Sequence, residues 1–173
     1  MVSPRLLGYL ICAIFAGTIA VFVHAQEEEG WVTFDGNQYG FFDHEATFDE
    51  AEEICVQYGG HLVSIHSQAE NDFVHSLTRP LTSHSYSEMV WLGGRKNPPP
   101  LNDKWTFTDG SPFDYTNWDT GEPNNYDGKE NCLQLLFDQN IGREEKRWND
   151  ITCDSRMPHF VCKRSCHFYR DGR

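Results

Sequence analysis

The sequence predicts a disulfide-stapled, extracytoplasmic domain that combines two helices with several short strands. Two Ser/Thr-x-x-Glu boxes open segments with helical spacing, short apolar runs alternate with turn residues, and the chain contains six cysteines. Its 173 residues are most simply one domain with removable or flexible ends. The net charge of −12 argues against nucleic acid and anionic membrane surfaces as partners, because both require a basic patch.

The N-terminus has the pattern of a secretory signal peptide. Arg5 precedes the apolar run Leu6–Val23, and Val23-His24-Ala25 is a small-x-small cleavage site before an acidic stretch. We therefore predict a signal peptide over 1–25, an acidic linker over 26–30 and a secreted protein with no membrane insertion after cleavage. The alternative is an uncleaved signal anchor, since the run is about as long as a membrane span.

The cysteines predict a disulfide framework, because an oxidising compartment lets disulfides persist. Cys12 leaves with the signal peptide, and the count of the rest does not fix their pairing. The remaining number is odd, and we take Cys166 as the unpaired one because it lies in the polar tail over 165–173. We expect it to be a free thiol or the bridge of a disulfide-linked homodimer. The remaining cysteines are Cys55, Cys132, Cys153, Cys162 and Cys166.

The first part of the domain predicts two strands followed by a capped helix. Trp31–Phe34 and Tyr39–Phe42 are short apolar runs around a Gly36-Asn37 turn. Thr47 and Glu50 form a capping box that opens the helix, which ends at two glycines.

A short strand, a second helix and a further strand come next. Leu62–Ile65 predicts the strand, and Ser67 with Glu70 forms a second capping box. The apolar stripe of this helix is Phe73, Val74 and Leu77, and the strand after it is Met89–Gly93.

The segment from Gly94 to Lys129 is polar and proline-rich, with one brief strand around Trp105–Phe107. A loop this long inside a domain is usually functional or disordered. Its aromatic side chains argue against disorder because such residues pack: Trp105, Phe107, Phe113, Tyr115 and Trp118. Strands are predicted after it at Leu133–Phe137, Arg147-Trp148 and His159–Cys162.

Oxygen-bearing side chains crowd into the stretch from 122 to 150. Carboxylates and amide carbonyls are the ligands that Ca²⁺ prefers, and it takes about 6–8 oxygens. Five such side chains and a main-chain carbonyl nearly fill that shell and leave room for an outside ligand. The predicted calcium ligands are Glu122, Asn124, Glu130, Asn149 and Asp150.

Several motifs, in order and spacing, resemble the C-type lectin domain over 31–164. They are Gly60–Ile65, Trp91–Gly94, Glu122-Pro123-Asn124, Trp148-Asn149-Asp150 and four of the cysteines. The resemblance implies the α+β, C-type lectin-like fold, with two helices flanking small antiparallel sheets and a long calcium-binding loop region. It also implies the disulfides Cys55–Cys162 and Cys132–Cys153.

The resemblance implies calcium-dependent carbohydrate binding without catalysis. Vicinal sugar hydroxyls would coordinate Ca²⁺ directly, donate to Glu122 and Glu130, and accept from Asn124 and Asn149. Asp150 would be a pure metal ligand.

Four further expectations concern the sugar and the metal. A cis Glu122-Pro123 peptide would aim its neighbours at one ion. The Glu-Pro-Asn order goes with mannose-type glycans: mannose, GlcNAc, glucose or fucose. Tyr126 is a candidate to stack on the sugar, with an ordinary exposed loop tyrosine as the alternative. One functional calcium is expected, since Asn125 and Asn131 stand where some family members carry acids for a second.

Two other functions are conceivable for such a chain. A non-catalytic protein-binding module on the same fold is the alternative, and the intact ligand set weighs against it. A hydrolase using Glu122 and Glu130 as paired acids is disfavoured, because calcium-chelating carboxylates stay ionised and cannot donate protons.

Overall fold

The computed structural model describes residues 30–78, 89–97, 104–136 and 146–166. The predicted signal peptide, nearly all of the acidic linker and most of the C-terminal tail lie outside them. The helices are α1 (Phe48–Gln57) and α2 (Gln68–Leu77). The strands are β1 (Trp31–Phe34), β2 (Asn37–Ala46), β3 (His61–Leu62), β4 (Val90–Lys96), β5 (Trp105–Phe107), β6 (Glu130–Leu135), β7 (Trp148–Thr152) and β8 (Met157–Ser165).

These strands form one mixed sheet of order β1-β2-β8-β4-β6-β7, with β3 paired to β8 and β5 to β4. The C-terminal strand β8 lies inside the sheet, antiparallel to β2 and parallel to β4. The α+β class with two helices is confirmed, and the structure adds the parallel pairing of β4 with β8 to the antiparallel pairs. Because β8 pairs on both edges, it joins the two halves of the chain into one sheet.

Helix α1 begins as the sequence predicts. Glu50 donates its main-chain N–H to Thr47 Oγ1 at 3.3 Å, and its carboxylate accepts the N–H of Thr47 at 2.9 Å. The apolar side chains of Phe48, Ala51 and Cys55 are buried. The capping box thus satisfies two main-chain donors at the start of the helix.

The second capping box is only half formed. Ser67 Oγ accepts the N–H of Glu70 at 3.1 Å, but the Glu70 carboxylate accepts the N–H of His66 at 2.7 Å instead of returning to Ser67. Its other oxygen accepts the ammonium of Lys163 at 2.6 Å. The carboxylate is drawn inward because it is the partner of a nearly buried cation.

The buried face of α2 is also more polar than predicted. Of the expected stripe only Val74 is fully buried, and Phe73 and Leu77 are partly buried. Asn71 is buried because its Oδ1 accepts the indole N–H of Trp148 at 2.8 Å. Hydrogen-bonded partners in the core explain why polar residues replace the apolar ones there.

Two disulfides join the elements. Cys55–Cys162 connects α1 to β8, and Cys132–Cys153 connects β6 to the residue after β7. They are the pairs that the resemblance implies. Cys166 is disulfide-bonded too, and its partner lies outside the described residues. The expectation of a free thiol at Cys166 is therefore wrong, and a disulfide-linked homodimer through Cys166 stays a prediction.

Candidate functional site

The end of the long loop is bound to the start of β7. The N–H of Trp148 donates to Asn117 O and the N–H of Asp119 donates to Trp148 O, both at 2.9 Å. The Trp148 ring packs against those of Phe113, Tyr115 and Trp118, with centroids 5.5–6.0 Å apart. The aromatic residues order this segment, as the sequence predicts. As a result, residues 119–130 lie beside Asn149 and Asp150.

Asp150 is the anchor of the site. Its side chain is fully buried, and it lies opposite Leu133 in the pairing of β6 with β7. Its two carboxylate oxygens accept the main-chain N–H groups of Asn124 and Asn125, each at 2.9 Å. A buried carboxylate is stable only when it is hydrogen-bonded or paired. The strand therefore fixes the loop that contains the Glu-Pro-Asn motif.

Glu122 and Asn124 flank Pro123 at the open side of the site. The Glu122-Pro123 peptide bond is cis, as the resemblance implies. Glu122 Oε2 accepts the N–H of Asn124 at 3.1 Å, so this N–H is shared between Glu122 and Asp150. The side chain of Asn124 is exposed to solvent.

Glu130 is tied into the same loop at the first residue of β6. Its Oε2 accepts the N–H of Tyr126 at 2.9 Å, and its own N–H donates to Asn125 Oδ1 at 3.1 Å. Burial raises the pKa of Glu130, and the negative charge of Asp150 raises it further, while the Tyr126 N–H partly opposes both. Two acids held this close favour a cation between them.

Asn149 is nearly buried and precedes the anchor on β7. Its side-chain amide donates to the main-chain oxygen of Asp150 at 2.6 Å. The structure therefore joins Glu122, Asn124 and Asp150 through one main-chain N–H, with Glu130 and Asn149 in the adjoining hydrogen bonds. Tyr126 lies at the rim with 75% of its surface exposed.

Asn125 is a site residue whose role the sequence analysis missed. Its φ of 47° is in the left-handed region, its N–H donates to Asp150, and its Oδ1 accepts the N–H of Glu130. It thus connects two predicted ligands. Asparagine tolerates positive φ better than most residues, and its position before a turn that ends at Gly128 was the available signal.

The donor set fits calcium in chemistry. Three carboxylates and two side-chain amide oxygens are hard donors of the kind that Ca²⁺ takes. Within the described residues, however, no group of three or more His, Cys, Asp or Glu side chains is placed to hold a metal ion. The carboxylates instead accept main-chain N–H groups. Each carboxylate oxygen has a second lone pair, so these hydrogen bonds leave capacity for a cation.

A polar cleft of about 540 Å³ lies elsewhere, between β3, β8 and residues 109–111. His66 contacts Asp114 at 2.7 Å and Ser111 at 3.1 Å, and His61 contacts Glu52 at 2.6 Å. Both histidines of this cleft thus contact side chains of the protein itself, as scaffold residues do.

Sequence comparison agrees with this geometry. The family described as the lectin C-type domain matches residues 44–164. The chain belongs to the C-type lectin family. Among its relatives, a C-type lectin of Micrurus corallinus is 38% identical over 141 residues, which cover 80% of this chain and 82% of that protein.

Two solved structures show that proteins with the C-type lectin fold differ in function. The carbohydrate-recognition domain of cow CD23, solved in the presence of a GlcNAc2Man3 oligosaccharide, is 29% identical, with a TM-score of 0.67 over 83% of this chain and 98% of that one. A calcium-independent type II antifreeze protein is 28% identical, with a TM-score of 0.64 over 82% and 97%.

Family membership identifies the chain as a carbohydrate-binding protein of a non-enzymatic family. The absence of catalysis thus follows from the family. Among the residues that the structure describes, no helix is both long and apolar enough to cross a membrane.

Proposed function

We propose that this C-type lectin binds mannose-type glycans through a single Ca²⁺ held by Glu122, Asn124, Glu130, Asn149 and Asp150. The observation that carries the proposal is the buried Asp150 carboxylate, which binds the main chain at Asn124 and Asn125 and so places the Glu-Pro-Asn motif beside β7. Glu130 is hydrogen-bonded to the same loop at the start of β6, and Asn149 precedes Asp150 on β7.

Each side chain has a distinct role in this proposal. Bound calcium supplies a positive centre to which two neighbouring sugar hydroxyls can coordinate. Glu122 and Glu130 accept the hydroxyl protons, and the amides of Asn124 and Asn149 donate to the hydroxyl oxygens. Asp150 contributes to the metal and keeps the loop in place.

Specificity for mannose-type sugars rests on the order Glu122-Pro123-Asn124. In this order the acceptor and donor are placed for equatorial hydroxyls such as those of mannose and GlcNAc. The cow CD23 domain, solved with a mannose-containing oligosaccharide, supports this choice. Tyr126 is exposed beside Glu130 and contacts the sugar or the next residue of the glycan.

A second candidate function is calcium-independent binding, for example of a protein, by the same fold. Two observations favour it. The carboxylates of Glu122, Glu130 and Asp150 accept main-chain N–H groups, and one structural neighbour is a calcium-independent antifreeze protein.

We also propose that residues 1–25 are a cleaved signal peptide and that the lectin domain, residues 31–164, acts outside the cell. The apolar run and its cleavage site support this. N-terminal sequencing of the protein from the medium of a eukaryotic expression host tests it. A protein that begins at Gln26 is the expected result, and an intact N-terminus in the membrane fraction contradicts it.

The exchange of donor and acceptor at the Glu-Pro-Asn motif tests the sugar site. The double variant Glu122→Gln/Asn124→Asp keeps the net charge and should lose binding to mannan while retaining its fold by circular dichroism. A matched control, Glu53→Gln/Asn37→Asp, makes the same two chemical changes away from the site and should bind as wild type. Unchanged mannan binding by the first variant refutes the site assignment.

A further inference from the structure

The loop over residues 125–130 is closed by a reciprocal pair of hydrogen bonds between its two ends. Asn125 Oδ1 accepts the main-chain N–H of Glu130 at 3.1 Å, and Glu130 Oε2 accepts the main-chain N–H of Tyr126 at 2.9 Å. A further bond, from the N–H of Gly128 to Asn125 O at 2.8 Å, forms the turn between the ends. These bonds join groups of the protein itself, so none of them requires a cation.

Three residues of this loop have a left-handed backbone conformation. The φ angle is 47° at Asn125, 56° at Asp127 and 69° at Gly128. Residues other than glycine are uncommon at positive φ, and such conformations persist only where the surrounding structure holds them. The ion pair of Asp127 with Lys129 contributes little to this restraint, because both side chains are exposed. The restraint therefore comes from the hydrogen bonds that close the loop.

Asn125 also connects the loop to the sheet. Its main-chain N–H donates to Asp150 Oδ2 at 2.9 Å, and Asp150 is fully buried on β7. Asn125 thus contacts a fixed point of the sheet through its main chain and Glu130 through its side chain. Burial, and then the negative charge of Asp150, raise the pKa of Glu130, so the two carboxylates lie near each other. Like charges repel, and a contact is needed that keeps Glu130 from turning outward.

The closed loop leaves the Glu130 carboxylate able to bind a cation. Within the loop only Oε2 accepts a hydrogen bond, from Tyr126, and Oε1 accepts none. The amide of the next residue, Asn131, is used for the loop as well, since its Nδ2 donates to Lys129 O at 3.3 Å. The loop therefore holds the main chain and one carboxylate oxygen of Glu130, and the other oxygen is available to a ligand.

We propose that Asn125 is a positioning residue for Glu130: its Oδ1 holds the Glu130 N–H and keeps that carboxylate at the calcium site before the cation binds. This inference rests on the proposed function. Without the Asn125 acceptor the loop can open, and the free energy of closing it must then come from calcium binding. Calcium affinity falls as a result. Sugar binding to the loaded site does not change, because Glu130 is already held there.

Three variants of the whole mature chain test this. Asn125→Gly tolerates the left-handed conformation and removes the side-chain oxygen, whereas Asn125→Asp keeps an oxygen at the same place. Asp127→Gly is the matched control, because it introduces glycine at another positive φ of the same loop and leaves Asn125 intact. For each we measure the amide exchange of Glu130 by NMR in EDTA and physiological salt, the calcium Kd by calorimetry, and the Kd for methyl α-mannoside in saturating calcium.

We expect Asn125→Gly to weaken calcium binding about three- to tenfold, the equivalent of one hydrogen bond, and to speed exchange of the Glu130 amide by a similar factor. Its mannoside Kd in saturating calcium should stay within about twofold of wild type. Asn125→Asp should retain the slow exchange of Glu130. Asp127→Gly should retain that slow exchange and a calcium Kd within about twofold of wild type, because its ion pair is exposed.

An Asn125→Gly protein that binds calcium as tightly as wild type overturns the inference and leaves the proposed function intact. Equal losses in Asp127→Gly also overturn it, because they assign the effect to the backbone of the loop. So does an Asn125→Asp protein in which Glu130 exchanges as fast as in Asn125→Gly, or a fall in mannoside affinity in saturating calcium. A wild-type protein that binds neither calcium nor mannoside overturns the proposed function and this inference with it.

Discussion

The carboxylate of Asp150 accepts the main-chain N–H of Asn124 at 2.9 Å, across 26 positions of sequence. Asp150 belongs to a strand in the sheet, and Asn124 belongs to the long irregular loop. The hydrogen bond thus connects the rigid part of the domain to the part that carries the candidate sugar contacts. Since Asp150 is buried, the loop and the strand depend on each other even before any cation binds.

The exchange Asp150→Asn should weaken both the fold and the site. The amide retains one acceptor oxygen but places an NH₂ group against the second main-chain N–H. We expect the free energy of unfolding in EDTA to fall by about 1–3 kcal/mol, and calcium binding to be lost. Urea unfolding followed by circular dichroism measures the first, and calorimetry the second.

The control for this change is Asp154→Asn, at an exposed aspartate just after β7. It should leave the free energy of unfolding within about 0.5 kcal/mol of wild type. An Asp150→Asn protein as stable as this control would show that Asp150 does not anchor the loop.

The buried ion pair between Glu70 and Lys163 connects α2 to β8. Glu70 Oε1 accepts from Lys163 Nζ at 2.6 Å and from the Tyr39 hydroxyl at 2.7 Å. Glu70→Gln leaves the ammonium without its counter-charge, so we expect a loss of about 3–5 kcal/mol in the free energy of unfolding.

Tyr39→Phe is the matched control for the ion pair, because it removes one hydrogen bond and no charge. It should cost about 1 kcal/mol in the same urea assay. Equal losses in Glu70→Gln and Tyr39→Phe would show that the charge pairing contributes little.

His159 on β8 should make stability depend on pH. Burial lowers the pKa of His159 below its usual value near 6.5, and Asp43, 3.3 Å away, only partly offsets this. The unfolded chain therefore binds this proton at a higher pH than the folded chain does. The associated stability is complete above about pH 6.5 and is lost as the pH falls from there through the folded pKa.

NMR titration of the histidine ring protons measures this pKa directly. The resonance of His159, assigned by comparison with His159→Gln, should titrate below pH 6.5. The variant should also show a weaker fall of unfolding free energy between pH 7 and 5. A His159 resonance that titrates above pH 6.5 would contradict the account.

Local patterns predicted those features that depend on adjacent residues. The capping box at Thr47 and Glu50 and the ordered aromatic residues of the long loop formed as predicted. The first hairpin turn lies one residue earlier than predicted, at Asp35-Gly36, because Asn37 pairs with Phe34. The capping box and the turn depend only on residues close together in sequence. Aromatic side chains of a loop become buried whichever neighbours the fold supplies.

Features that depend on distant partners were not predictable in the same way. Helical periodicity marked Phe73 and Leu77 as core residues, but Glu70 and Asn71 are buried deeper because Lys163 and Trp148 supply their partners. The parallel pairing of β4 with β8 is likewise set by chain topology. A hydropathy pattern contains neither piece of information.

In the candidate site, too, the residues were predictable from the sequence but their long-range hydrogen bonds were not. The sequence predicted the five oxygen donors, and the family resemblance implied which of them bind the sugar and which bind only the metal. The link through Asn125 became evident only from the hydrogen bonds. Asn125 contacts two predicted ligands without belonging to a motif.

The most direct test of the central claim is retention of the mature domain on mannan-agarose in calcium, followed by elution with EDTA. The account predicts retention in calcium and complete release when EDTA removes it. Passage through the column in calcium, with no calcium bound by calorimetry, would contradict the account and favour the calcium-independent alternative.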